Sequence, residues 1–269
     1  MAFDGREFAR VRNAVLLICA PAWILLLVQP AGMGIFTHCP ATSSEVMPRT
    51  INTPTSVAIA WALMLIAMMS PALIPPIRHI HLRSFTHRRA RSIFLFVTGY
   101  AAIWMGLCWA PLGIERIVTL FAPQSYPAAV CALLIALVWQ FSPIKQLCLN
   151  RCHASPSLVA FGLAADFDAF RFGMTHGIWC AGSCWPLMLF PMLLPGGHVM
   201  AMAIVAILIF SERLEPPKPL RWRCRGFGKA TRIVFAHARI RRESSLDSQV
   251  RGVRIARVPG QPSFSSRAV

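Results

Sequence analysis

Acidic side chains are scarce in this chain: ten Asp and Glu stand against 27 Lys and Arg, a formal net charge of +17 over 269 residues. Charged residues of either sign make up only 14% of the sequence, while 56% is hydrophobic and the mean hydropathy is +0.56. A chain so short of charge does not read as an ordinary soluble globule. Polar helix faces are missing too, because the apolar residues arrive in runs rather than in the stripes of a surface helix. There is no P-loop, Rossmann glycine fingerprint, HExxH or G-x-S-x-G, and no Ser/His/Asp arrangement can be assembled, so the well-marked catalytic classes are excluded. The nine cysteines lack the spacing of an extracellular disulfide framework. No internal repeat is visible, which argues against a secondary transporter.

What is present is a succession of apolar segments. With a window of about 19 residues, these are 14–35, 57–77, 92–114, 127–144 and 173–194, followed by a short run at 198–211. The last is below the usual minimum of ~17 residues unless it is extended or the bilayer thins. Pro195-Gly196-Gly197 predicts a tight turn before it. Pro21, Pro71, Pro186 and Pro191 lie inside these segments and predict kinks, tolerable where neighbouring helices satisfy the freed carbonyls.

The basic residues sort by connection. Arg6, Arg10 and Arg12 precede the first segment; Arg78, Arg83, Arg88, Arg89 and Arg91 fill the second connection; Lys145, Arg151 and Arg171 fill the fourth; and 14 Lys or Arg follow Ser211. The other connections hold only Arg49 and Arg116. Alternation of basic and nearly neutral loops is the positive-inside pattern of six spans with both termini cytoplasmic. It also accounts for the positive charge without nucleic acid. Asp4 and Glu7, with no clear small-x-small site, favour a retained first span over a cleaved signal peptide. The expected organisation is a cytoplasmic N-terminus at 1–13, a transmembrane helical bundle at 14–211 and a basic, mostly disordered cytoplasmic tail at 212–269. Within that tail, 230–242 could lie as a basic helix on anionic lipid. The segment 158–165, with Phe161, Phe167, Phe170 and Phe172 close by, is expected along the cytoplasmic interface.

Sulfur carries the chemistry. Cys148/Cys152 in CLNRC and Cys180/Cys184 in CAGSC are both spaced by one helical turn. Such residues lie about 6 Å apart at Cβ, whereas a disulfide needs roughly 3.8 Å, so a shared metal suits the spacing better. Gly177 and Gly182 would let another backbone approach closely, and His153 and His176 stand beside the cysteines. Met64, Met68 and Met69 cluster in the second segment, where neutral thioethers favour transfer of a soft ion over its storage. Soft sulfur donors select Cu(I); zinc, which prefers four tetrahedral ligands, is the weaker candidate. Packing is the alternative at every one of these positions, since Cys and Met also fill gaps between helices. His38-Cys39 in the first outer loop is a second place where metal could be captured. His79, His81 and His87 sit among arginines that disfavour a bound cation, and Asp166-x-Asp168 reads as a solvated face. Glu115 with Arg116, and Glu212 with Arg213, are expected to mark span ends at the interface.

The ordered set Trp61-x-x-Met64-x-x-x-Met68-Met69-x-Pro71, Gly99-Tyr100-x-x-x-Trp104, Pro143-x-Lys145-x-x-Cys148-x-x-x-Cys152, Gly182-x-Cys184-Trp185-x-x-Met188 and Glu212 resembles one bacterial family over about 61–212. It is the group described as predicted metal-binding integral membrane proteins, which includes membrane copper chaperones associated with tyrosinase (polyphenol oxidase). Members often carry adjacent cysteines where this chain has Ser183-Cys184, and an arginine where His153 stands. The resemblance implies metal binding and copper delivery.

The expectation is therefore an all-α, multi-pass protein of the bacterial inner membrane with about six transmembrane helices. It would bind copper as Cu(I) through Cys148, Cys152, Cys180 and Cys184, with Met64, Met68 and Met69 as a relay. Copper would pass to a partner protein by ligand exchange, without covalent catalysis. A membrane thiol oxidoreductase and a ligand-free accessory subunit are the rivals. The first is disfavoured because both cysteine pairs fall toward the reducing cytoplasmic side.

Overall fold

The protein is described from a computed structural model covering residues 3–28, 54–110, 113–114, 117, 126–159, 161–194, 197–222, 228–229, 231–232, 235–236 and 239. Regular structure among the described residues is entirely helical. In chain order the helices are α1 (Phe3–Val28), α2 (Pro54–Met69), a 3-10 turn (Ser70–Leu73) leading into α3 (Ile74–Arg83), α4 (Arg89–Leu107), α5 (Tyr126–Phe141), α6 (Pro143–Cys152), α7 (Gly162–Met192) and α8 (His198–Leu214). The chain divides into two compact units, Met1–Gly226 and Phe227–Val269. In the second, the described residues are helical and Thr231 Oγ1 donates to Gly228 O at 3.1 Å.

Three stretches are long and apolar enough to cross a membrane: 9–28, the run 58–83 through α2 and α3, and α4. The α5–α6 pair makes a fourth if its two halves, bent by 70°, form one broken span. The break follows from sequence: Ser142 caps α6 by accepting from Ile144 N at 3.1 Å, and Pro143 occupies the first turn, where its missing N–H costs nothing. α7 is the hub of the first unit, packing against α4, α5, α6 and α8. Its polar and helix-weakening residues, including His176, Gly182, Ser183 and Pro186, lower its hydropathy, and His176, Ser183 and Pro186 are enclosed by neighbours.

Two prolines free backbone carbonyls, and neighbouring helices satisfy them. Pro71 cannot donate to Ala67 O; instead Trp23 Nε1 donates to it at 2.9 Å and Cys19 Sγ at 3.2 Å, pinning α1 to α2. Pro186 cannot donate to Gly182 O; Trp139 Nε1 does so at 3.1 Å, pinning α5 to α7. Pro71 falls in the 3-10 turn, whereas Pro21, Pro186 and Pro191 remain inside continuous helices.

α4 and α7 approach most closely where Gly99 faces the Phe170 carbonyl and Gly173 faces the Phe96 carbonyl; a Cβ at either position would collide with backbone. The Gly173-x-x-x-Gly177 step on α7 is the small-residue device that lets membrane helices touch.

Several expectations need correction. α7 begins at Gly162, eleven residues before the apolar run at 173, and takes in the second half, 162–165, of the segment expected to lie along the interface. Asp166 is not on a solvated face: it is buried and paired with Arg88 at 2.8 Å and Arg91 at 2.7 Å, which is why the helix can carry a carboxylate there. Arg78, His79, His81 and Arg83 belong to α3 rather than to a loop, and His79 Nε2 lies 2.9 Å from Pro156 O. Lys145, expected in the fourth connection, and Glu212, expected at the interface, are instead buried against each other at 2.8 Å, together with Gln140. His38-Cys39, Arg49, Glu115-Arg116 and Pro195-Gly196 lie outside the described residues, as does most of 230–242.

Candidate metal centre

His176, Cys180 and Cys184 recur every four residues on α7, so they share one face, and all three are buried. That face meets Phe96, Tyr100 and Trp104 of α4. Tyr100 Oη is 3.2 Å from Cys180 Sγ, and the His176 ring packs against Phe96, Tyr100 and Phe172. Cys184 Sγ donates to Cys180 O at 3.1 Å. His176 Nε2 is buried without a hydrogen-bond partner, while the Trp104 indole is a hydrogen-bonding neighbour of the Cys180 thiol. A group such as His176 Nε2 is costly to leave unpaired in an apolar interior.

α2 completes the wall. Met64, Met68 and Met69 are buried in the same hydrophobic core as Tyr100, Trp104, Cys180, Cys184 and Met188. Trp61 Nε1 donates to Trp104 O at 3.0 Å, which sets α2 against α4 at this level.

The two cysteines of α6 are placed differently from each other. Cys148 Sγ rests on Gly182, where a Cβ would come within 2.9 Å of it. Gly182 is two positions from both Cys180 and Cys184, about 200° around the helix. Cys148 therefore packs on another side of α7 from those thiols. Gly182 admits a cysteine sulfur rather than a second backbone. Cys152 is half-buried and has Arg213, Cys180 and Cys148 as electrostatic neighbours.

The surrounding charges were not legible from the sequence. Lys145 Nζ bonds Glu212 Oε1 at 3.0 Å and Oε2 at 2.8 Å, and Gln140 joins both partners. Arg213, two residues past the apolar run of α8, faces the thiols and phenol of Cys152, Cys180, Tyr100 and Cys184. His153 is unsuited to metal: Nδ1 lies 2.8 Å from Leu149 O and Nε2 3.0 Å from Arg213 O, so both nitrogens are directed at carbonyls. The described cysteines are free thiols, and among the described residues no three His, Cys, Asp or Glu side chains are grouped to hold a metal.

The description "copper chaperone", the PpoB2 family, matches residues 58–234. The chain belongs to the PpoB2 copper chaperone family. The matched region contains Met64, Met68, Met69, all four paired cysteines and Arg213. The resemblance to copper chaperones noted in the sequence is thereby established, and the function is copper-related. No curated protein and no solved structure matches the chain.

Proposed function

We propose that this copper chaperone is an integral membrane protein that holds Cu(I) on sulfur and hands it to a partner protein by ligand exchange. The observation that carries the reading is the fully enclosed Cys180/Cys184 pair on α7, inside the region that matches the family. Two thiolates one turn apart suit an ion that accepts few, soft ligands. Cys152 of α6, an electrostatic neighbour of Cys180, is the thiol that would join the pair on metal binding. Cys148, behind Gly182, is an outer sulfur that reaches the pair only if α6 shifts against α7. Met64, Met68 and Met69 form the neutral relay on the opposing helix. Ligand exchange needs no redox step: the incoming thiolate of the partner forms its bond to Cu(I) as a chaperone thiolate leaves.

The membrane reading rests on apolar faces that no described element covers. Leu17, Leu25 and Val28 on α1, Val130, Leu134 and Val138 on α5, and Met200, Ile204 and Ile207 on α8 are all exposed. Contiguous stripes of this kind are incompatible with water and natural in lipid. Enclosed α7 and the 17-residue α8 then serve as the fifth and sixth spans, with both termini on the basic, cytoplasmic side of the bacterial inner membrane.

The test is Cu(I) affinity of the detergent-purified full chain, measured by competition with a chromogenic Cu(I) chelator. A variant with Cys148, Cys152, Cys180 and Cys184 changed to serine should lose the binding. Equal affinity of the two proteins would overturn the reading.

A further inference from the structure

Among the described residues, the thiols of α6 and α7 are accompanied by one cation that no carboxylate neutralises. Arg213 of α8 is an electrostatic neighbour of Cys152, Cys180 and Cys184, and its guanidinium is a hydrogen-bonding neighbour of the Cys152 thiol. Its Nε and Nη2 are enclosed without a hydrogen-bond partner. Among the described residues no carboxylate is in ion-pair contact with it. Lys145 also faces Cys184, but Glu212 cancels it at 2.8 Å. His153 holds the Arg213 backbone by its carbonyl at 3.0 Å, so the side chain projects from a fixed point. Enclosing a charge this way is unfavourable unless something of opposite sign comes to meet it.

We propose that Arg213 is the counter-charge of the copper site and makes that site selective for a monovalent over a divalent cation. This rests on the sulfur reading above. Binding Cu(I) on two of these cysteine thiols releases two protons and forms an anion, [Cu(SR)2] with charge −1, the third thiol of the site staying protonated. The Arg213 guanidinium brings the enclosed group to zero and gives its unpartnered N–H groups anionic sulfur to face. A divalent ion such as Zn2+ on the same two thiolates is already neutral, so Arg213 leaves an excess of +1 in an apolar interior. The arginine thus lowers the free energy of the Cu(I) complex and raises that of the Zn(II) complex. It acts through the thiolates and is not itself a ligand.

The experiment compares wild type, R213K, R213M and a C152S/C180S/C184S variant as full chains in detergent, titrated with Cu(I), Ag(I) and Zn(II) against chromogenic chelators. R213M should bind Cu(I) and Ag(I) about 10- to 100-fold more weakly, with Zn(II) unchanged or tighter, so that the ratio of affinities collapses. R213K keeps the charge and should restore most of the ratio. R213Q substitutes for R213M if the methionine variant does not fold. The proposal is overturned if R213M matches wild type for all three ions, or if all three weaken together. If the triple serine variant keeps wild-type Cu(I) affinity, the sulfur reading itself fails, whatever Arg213 does.

Discussion

Removing one partner of the Lys145–Glu212 pair should destabilise the bundle far more than removing both. The side chains are 1% and 3% exposed, their charges meet at 2.8 Å, and Gln140 bridges them. Lys145→Met leaves the Glu212 carboxylate enclosed beside a neutral amide; Glu212→Leu leaves an ammonium in the same position. Breaking a buried pair from one side costs about 3–5 kcal/mol, whereas replacing both partners by apolar groups of similar size is often neutral. At about 2–4 °C per kcal/mol for a chain of this size, each single variant should lower Tm by roughly 6–20 °C. The double variant K145M/E212L should fall within a few degrees of wild type. Thermal unfolding followed by tryptophan fluorescence in one detergent, completed as a double-mutant cycle, reads the coupling directly. Additive effects of the two single substitutions would refute the reasoning, because independent sites do not share a desolvation penalty.

Gly173→Leu would place a branched side chain against the Phe96 carbonyl, forcing α4 from α7; loss of folded protein in size-exclusion chromatography is expected, while Gly106→Leu, with open space around it, should be tolerated. Asp166→Asn removes two charge-assisted contacts, to Arg88 and Arg91, and should lower stability by about 1–3 kcal/mol in the same unfolding assay. Cys152→Ser should weaken Cu(I) binding by at least about tenfold in chelator competition, with Cys148→Ser weaker in effect, because Cys148 lies on another side of α7 from the Cys180/Cys184 pair.

Hydropathy located most of the helices because apolar runs need no partner to be recognised. It failed where polar residues are neutralised by others far along the chain. Asp166 answers Arg88 across 78 residues, and Lys145 answers Glu212 across 67; a window sees each as an isolated charge and assigns it to a loop. The same blindness hid Arg213, whose thiol neighbours come from α6 and α7. Four-residue spacing correctly placed Cys180 and Cys184 on one face, since helix geometry alone decides that. The position of Cys148 depended on Gly182, a residue between those two cysteines that faces another way; its lack of a Cβ was the available signal. Pro71 and Pro186 pointed to freed carbonyls, but only packing shows that Trp23 and Trp139 fill them.

Copper K-edge absorption on the Cu(I)-loaded, detergent-purified full chain tests the central claim most directly, because it reports the atoms bound to the metal. The account predicts a monovalent edge and a first shell made of sulfur alone, lost when Cys152, Cys180 and Cys184 become serine. A first shell of nitrogen or oxygen, or a sulfur shell that survives those substitutions, would contradict it.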